Sequence, residues 1–316
     1  MDADSAPTPA IPLIPTAPPG FKSGFVAIVG RPNVGKSTLM NYLVGQKIAI
    51  VSPVAQTTRN RLRGILTTEA AQVIFVDTPG IHKPHHELGR VLVQNARLAI
   101  NVVDLVLFVV DSSVPAGGGD RFIANLLAKT PVPVILGLNK ADRQTGDVAA
   151  LDASYQQLGQ AGQWEQCKFS ALTGEGLDEL LAQAIAQLEP GPYYYPPELV
   201  TDQPERFIMG ELIREQILLH TRQEVPHSVA IAIERVEEQP EITRVQAAIA
   251  VERASQKGIL IGKQGAMLKT IGSAARQQIQ KLIAGKVYLE LFVKVETQWR
   301  QSRRQLAEFG YRVEES

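Results

Sequence analysis

The run Gly30-Arg31-Pro32-Asn33-Val34-Gly35-Lys36-Ser37 sets two glycines, a lysine and a hydroxyl at the spacing G-x-x-x-x-G-K-S. Glycines so placed let a loop turn tightly enough for its backbone N–H groups to converge on one anion, and phosphate is the anion that fits. Lys36 would add a point charge at the terminal phosphates and Ser37 would put its hydroxyl on a Mg²⁺ ion, with Asn33, Val34, Gly35 and Thr38 around them. Asp77-Thr78-Pro79-Gly80 offers a carboxylate for the Mg²⁺ shell and, at Gly80, an N–H that can approach a γ-phosphate. Asn139-Lys140-Ala141-Asp142 ends in a carboxylate that can accept two hydrogen bonds from the N1 and N2 edge of guanine. Adenine lacks those donors and would leave the carboxylate unpaired, a costly desolvation. Ser170-Ala171-Leu172 can bring a backbone N–H to guanine O6. The four segments in this order read as a site for GTP or GDP with Mg²⁺.

Between the first helix and the next strand lies a polar loop, 52–63, containing Gln56-Thr57-Thr58-Arg59. A threonine there can reach Mg²⁺ and the γ-phosphate and be released on hydrolysis, and Thr58 is the preferred candidate over Thr57. Many GTPases carry a glutamine just after the D-x-x-G glycine to orient the attacking water. Here that residue is Ile81, which cannot do so, and slow intrinsic hydrolysis is expected. His82, His85 and His86 read as a solvated switch loop rather than a metal cluster.

A second glycine loop, Gly262-Lys263-Gln264-Gly265, closes the run 258–265, between a strand pair and a long helix. In a KH module such a loop clamps about four nucleotides of single-stranded RNA. Gly258, Ile261, Gly262, Lys263, Gln264, Gly265 and Lys269 are the candidate RNA-binding residues. From Arg253 to Arg304 there are eleven Lys and Arg against Glu290 and Glu296, a local balance of +9 in a chain whose net charge is zero. Basic residues concentrated in this way can contact phosphates.

Those residues need a frame. Apolar runs at 25–29, 72–76, 104–110, 132–138 and 166–169 read as buried strands, and 38–44, 88–101, 121–129 and 177–188 as helices. Strands alternating with helices predict a sheet covered on both faces, with functional residues at the carboxyl ends of strands. The proline-dense 189–197 reads as a semi-rigid linker whose tyrosines pack against one domain. Beyond it, 204–223 and 265–284 read as helices, 229–233, 245–251 and 287–295 as strands, and 299–309 as a last helix.

The fold class expected is α/β: a phosphate-loop GTPase domain with a mixed, mostly parallel sheet over 23–189, a linker over 190–203, and a smaller α+β type II KH domain over 204–316. Residues 1–22 read as a disordered proline-rich tail, with no basic, uninterrupted apolar signal in it. The one cysteine, Cys167, permits no intramolecular disulfide and reads as a core thiol. No stretch approaches ~20 apolar residues, so no membrane-spanning helix is expected.

With both halves in hand the chain resembles the Era family of bacterial ribosome-assembly GTPases, within the TrmE-Era-EngA group. The residues that carry the likeness are 30–37, Ala55-Gln56-Thr57-Thr58-Arg59-Asn60-Arg61, 77–80, 139–142, 170–172 and 258–276, and it spans about 25–313. The resemblance implies GTP hydrolysis, binding of the 3′ end of small-subunit (16S) rRNA and assistance to 30S maturation. It implies RNA binding favoured by GTP and hydrolysis accelerated by RNA. It also implies a cytoplasmic protein with peripheral association with the inner membrane, and a monomer is expected. Ile81 matches this class, and in related GTPases an asparagine at the Asn33 position helps hold a K⁺ ion that supplies positive charge at the transition state. The catalytic candidates are thus Lys36, Thr58, Gly80 and Asn33. Two other readings stay open: a passive RNA chaperone with GDP as a structural ligand, and a membrane-recruited signalling GTPase whose basic face binds anionic lipid.

Overall fold

The computed structural model describes residues 14–52, 62–78, 80, 100, 102–160, 162–222, 225–283, 285–302, 304–305 and 309, the side chain of His227 excepted. Thr57, Thr58, Pro79, Ile81, His82, His85, His86, the tail up to residue 13 and nearly all of 88–101 lie outside the described residues.

Strands β1 (Lys22–Val29), β2 (Leu62–Thr67), β3 (Ala71–Asp77), β4 (Leu105–Asp111), β5 (Val134–Asn139) and β6 (Glu165–Lys168) form one sheet in the order β2-β3-β1-β4-β5-β6. Every neighbouring pair is parallel except β2–β3. Successive side chains of a strand point to opposite faces, and here both faces are covered. Val26 and Ile28 join one buried cluster with Leu39, Phe75 and Phe169. Ala27 and Val29 join another with Phe108, Ile123 and Tyr155. This double burial is why the strands are continuous apolar runs. Among the described residues the flanking helices are α1 (Lys36–Val44), α2 (Gly118–Leu127), α3 (Val148–Gln160) and α4 (Leu177–Gln187).

Strand β2 corrects the expected loop over 52–63, because Leu62 and Arg63 already pair with Asp77 and Val76. Its apolar run is short and lies in a polar stretch of sequence, and the partner β3 is what makes it a strand. The chain leaves β1 toward β3 on one side and reaches β4 on the other, so the crevice for a ligand opens at the carboxyl end of β1.

The segment over 190–203 is a strap rather than a free spacer. Tyr193 and Tyr194 lie with ring centroids 4.3 Å from Phe21 and 5.2 Å from Phe25. The fully buried Gln72 accepts from the N–H groups of Tyr194 and Tyr195, at 2.8 and 3.0 Å, and donates to the Tyr195 carbonyl at 2.9 Å. Arg63 pairs with Asp202 at 2.8 Å.

The second unit runs α5 (Glu205–His220), α6 (Val225–Ser228), β7 (Ala230–Gln239), β8 (Ile242–Val251), α7 (Ala254–Ile261), α8 (Ala266–Leu282) and β9 (Val287–Val295). Its sheet has the order β7-β8-β9, antiparallel then parallel. Helix α7 stands where the glycine loop was expected to follow the strand pair directly. It starts because Gln256 Oε1 accepts the N–H groups of Glu252 and Arg253, both at 3.0 Å, a cap that a glycine-flanked apolar run does not advertise. The helix expected over 299–309 is, at its start, one tight turn at Trp299–Gln301. Trp299 is buried and its indole N–H donates to the Ser228 carbonyl at 3.0 Å. One buried cluster runs through both units, holding Met40, Val44 and Ile48 together with Ile208, Leu212 and Ile217.

Candidate functional site

The loop after β1 is shaped by what presses on it. A Cβ on Gly30 would lie 2.3 Å from the Val109 carbonyl, and one on Gly35, at φ +101°, 2.3 Å from Asn139 Nδ2. Asn33 is also left-handed, at φ 63°. The turn therefore demands its glycines for both space and backbone angle. Helix α1 then begins at Lys36 with its N-terminus facing the crevice, a placement that favours an anion.

Lys36 is 6% exposed and its ammonium donates to the carbonyls of Gly30 at 3.1 Å and Arg31 at 2.9 Å. Burial pushes its pKa below the ordinary lysine value, while the Asp77 charge works in the opposite direction. A buried cation with an acid as its counter-charge is arranged for a strongly anionic ligand. Ser37 Oγ donates to Asp77 Oδ2 at 3.0 Å, so the hydroxyl and carboxylate expected at Mg²⁺ are adjacent. Both are hard oxygen donors, the set that suits this ion. Thr78 is tied to β1 through Oγ1, which donates to the Ile28 carbonyl at 2.8 Å. Gly80 lies against the loop, where a Cβ would meet Pro32 N at 2.9 Å.

Asn139, at the end of β5, is 2% exposed and joins the parts. Its Nδ2 donates to the Val34 carbonyl at 2.8 Å and its Oδ1 accepts the Ala171 N–H at 2.9 Å. Lys140 is left-handed at φ 67°, and its ammonium reaches the Asn33 carbonyl at 2.9 Å and Asp111 at 2.5 Å. Burial alone would raise the Asp111 pKa, but hydrogen bonds from Lys140 and Ser113 hold it below the ordinary carboxylate value. Asp142 follows with its side chain 19% exposed and Arg143 Nε 3.9 Å away. The Ala171 N–H, one candidate donor to guanine O6, is engaged by Asn139, whereas Leu172 is 65% exposed at the rim.

These parts enclose one cavity of about 590 Å³, a size suited to a small ligand. Its lining includes Asn33, Gly35, Lys36, Ser37, Thr38 and Gly80 at one end and Asn139, Lys140, Asp142, Ala171 and Leu172 at the other. Val34, Asp77, Thr78 and Ser170 are buried behind it. Sequence reasoning missed Asp111, although an acid ending a buried strand is the pattern that singled out Asp77. It also missed the Arg31–Asp120 ion pair at 2.6 Å, which ties the loop to α2. Leu219, from α5, also lines the cavity and carries no local signal.

In the second unit Gly262 (φ 71°, ψ 179°), Gln264 (φ 53°) and Gly265 (φ 79°) make a sharp corner between α7 and α8. A Cβ on Gly262 would stand 2.7 Å from Met267 Cβ. Lys263, Gln264 and Lys269 are exposed around it. Gly258 and Ile261 lie on α7, not in the loop, and Gly258 faces open space. Cys167 is buried, which pushes its thiol pKa up to about 11, with Glu179 adding to the rise, so it is no thiolate at neutral pH.

Residues 25–140 match the family described as 50S ribosome-binding GTPase, and residues 224–300 match the KH domain. The chain is 73% identical over 301 residues to GTPase Era of Rippkaea orientalis, covering 95% of this chain and 96% of that protein. It is 74% identical over 302 residues to GTPase Era of Nostoc sp., covering 96% and 93%. Its structure is similar to that of Era in complex with MgGDPNP and nucleotides 1506–1542 of 16S ribosomal RNA, with TM-score 0.85, 37% identity, and 93% of this chain and 100% of that chain covered. It is similar to an Aquifex aeolicus Era variant bound to GDP and aluminium fluoride, with TM-score 0.83, 36% identity and the same coverage.

Proposed function

The chain belongs to the Era family of GTPases, and from that premise we propose that it is a GTP-hydrolysing switch that binds the 3′ end of small-subunit rRNA and assists 30S maturation. The observation that carries the reading is the single cavity lined by Lys36, Ser37 and Gly80 at one end and Asp142 and Leu172 at the other. Phosphate chemistry at one end and a guanine-selective carboxylate at the other match the two ends of one nucleotide.

In this reading Lys36 leaves its loop carbonyls for the phosphates, and the loop amides with the α1 N-terminus neutralise their charge. Ser37 and Asp77 would hold Mg²⁺, joined by Thr58, and the ion would supply positive charge for the β- and γ-phosphates. Gly80 reads the γ-phosphate through its N–H. Asp142 accepts from guanine N1 and N2, and a backbone N–H of 170–172 donates to O6. Asn139 and Lys140 position these groups through the phosphate loop. With Ile81 in place of a water-orienting glutamine, Asn33 holding K⁺ is the proposed source of transition-state charge; equal turnover in K⁺ and Na⁺ buffers would overturn that part. The 262–265 corner clamps single-stranded RNA, with Lys263 and Lys269 on its phosphates. The domains are proposed as 23–189 and 204–316, with 190–203 as strap. The protein is proposed to act as a cytoplasmic monomer with peripheral membrane association; among the described residues no helix is long and apolar enough to cross a membrane.

GTP turnover with and without a single-stranded oligonucleotide from the 3′ end of small-subunit rRNA tests the reading. Stimulation by the oligonucleotide is the expected result. Absent turnover in both cases would leave a passive GDP-bound chaperone. Binding to acidic liposomes with no preference for the oligonucleotide would favour the membrane-recruited reading.

A further inference from the structure

Helix α5 belongs to the second unit, yet it brings two side chains to the nucleotide crevice of the first. Glu215 is 3% exposed. Its Oε2 takes the Lys47 ammonium at 2.5 Å, and its Oε1 accepts the Val51 N–H at 2.8 Å. Between those two contacts Asn41 holds the chain, accepting from the N–H groups of Ile48 and Ala49 and donating to the Ala49 carbonyl at 2.7 Å. The segment 47–51 is therefore held from α1 and from α5 together. Leu219 lies one turn beyond Glu215 on the same face of α5. It lines the cavity together with Ile50, Val51 and Ser52.

Leu219 is 49% exposed, and Leu172, in the same lining, is 65% exposed. An apolar side chain on a cavity wall gains when a ligand removes its surface from water. The phosphate end of the cavity is built of Lys36, Ser37 and backbone amides, and offers nothing to a leucine. The part of a nucleotide with apolar surface to match is its sugar and base.

We infer that Leu219 is a nucleotide-binding residue lent by the RNA-binding unit, an apolar wall for the ribose–base part of the guanine nucleotide, and that Glu215 is the positioning residue that sets this wall. The inference rests on the guanine-nucleotide reading of the site. It makes nucleotide residence depend on the second unit through direct contact, by a residue outside the glycine loop at 262–265.

The test uses the full chain and a fluorescent GDP analogue, with pyrophosphate as a competitor that lacks sugar and base. Leu219→Ala is expected to raise the GDP dissociation rate about 3- to 10-fold, as loss of a half-buried leucine contact would. Pyrophosphate affinity should stay unchanged. Glu215→Gln, which keeps an acceptor for Val51 but loses the Lys47 ion pair, should show the same split between GDP and pyrophosphate. An unchanged GDP dissociation rate in Leu219→Ala, with wild-type melting, overturns the inference. So does an equal loss of GDP and pyrophosphate affinity, which would mark a general loosening of the fold. Lys36→Ala serves to separate the two levels: if it too leaves GDP and pyrophosphate binding intact, the site reading itself fails.

Discussion

Asn139 uses both ends of its amide on backbone, joining Val34 to Ala171 across 105 and 32 residues of chain. A buried side chain with each polar atom paired is costly to disturb, because its partners are left unsatisfied. Asp142 next to it is different: it is partly exposed and its acceptor capacity faces the cavity. In the proposed base site, replacing Asp142 by Asn would put an amide where guanine would present two donors, removing charge-assisted bonds of about 1.5–3 kcal/mol each. Asp142→Asn should weaken GTP at least about 30-fold and narrow its preference over ATP, as read by competitive titration. Unchanged preference would remove Asp142 from the base site. Asp111 sets a pH limit. Its folded pKa lies below the ordinary value, so the stability it contributes is present above about pH 4, the unfolded value, and is lost as pH falls through the folded one. Asp111→Asn should flatten the acid limb of a urea-denaturation series below pH 4 and lower stability near pH 7. An acid limb identical to wild type would show that the Lys140 pair carries none of it.

Among the elements, the loops at strand ends matter more than the strands themselves. Pairing of Ile28 with Asp77, and of Asp111 with Asn139, brings the carboxyl ends of neighbouring strands to one level. The residues proposed for phosphate, metal and base then meet at one end of the sheet. In the second unit the corner between α7 and α8 depends on Gly262, whose φ 71° and ψ 179° fall in a region essentially restricted to glycine. Gly262→Ala adds a Cβ beside Met267 and should cost about 1–3 kcal/mol of local strain. We expect it to weaken single-stranded RNA binding about 10-fold or more while GTP affinity holds. Filter binding and nucleotide titration on the same variant check both, and RNA affinity at the wild-type level would count against the corner as the clamp.

At the scale of the whole molecule, the apolar cluster shared by Met40, Val44, Leu212 and Ile217 binds the two units together, while the strap over 190–203 is fastened to the first. Units that share buried apolar surface lose it together on unfolding. Calorimetry of the full chain should therefore show one main transition, and saturating GDP should raise it as a whole. Two well-separated transitions, only one of them shifted by GDP, would show that the shared cluster does not couple the units.

Much of the nucleotide site is legible along the chain because its chemistry is local. A glycine spacing, an aspartate ending a strand and Asn-x-x-Asp after another strand are turn and cap requirements satisfied within a few residues. The same holds for the glycine corner at 262–265, which a left-handed backbone demands wherever the chain goes next. What only the tertiary structure decided is long-range. β2 is a strand because β3 lies beside it, and the proline-dense segment is a strap because Gln72, 122 residues earlier, takes up the backbone N–H of Tyr194. Lys140 meets the Asn33 carbonyl across 107 residues, and Glu215 meets Val51 across 164. No periodicity or spacing records such meetings, since they arise from packing of surfaces rather than from neighbouring residues. Leu219 is the clearest case: in the sequence it is one more apolar residue of a helix, and in the fold it stands at the wall of the nucleotide cavity.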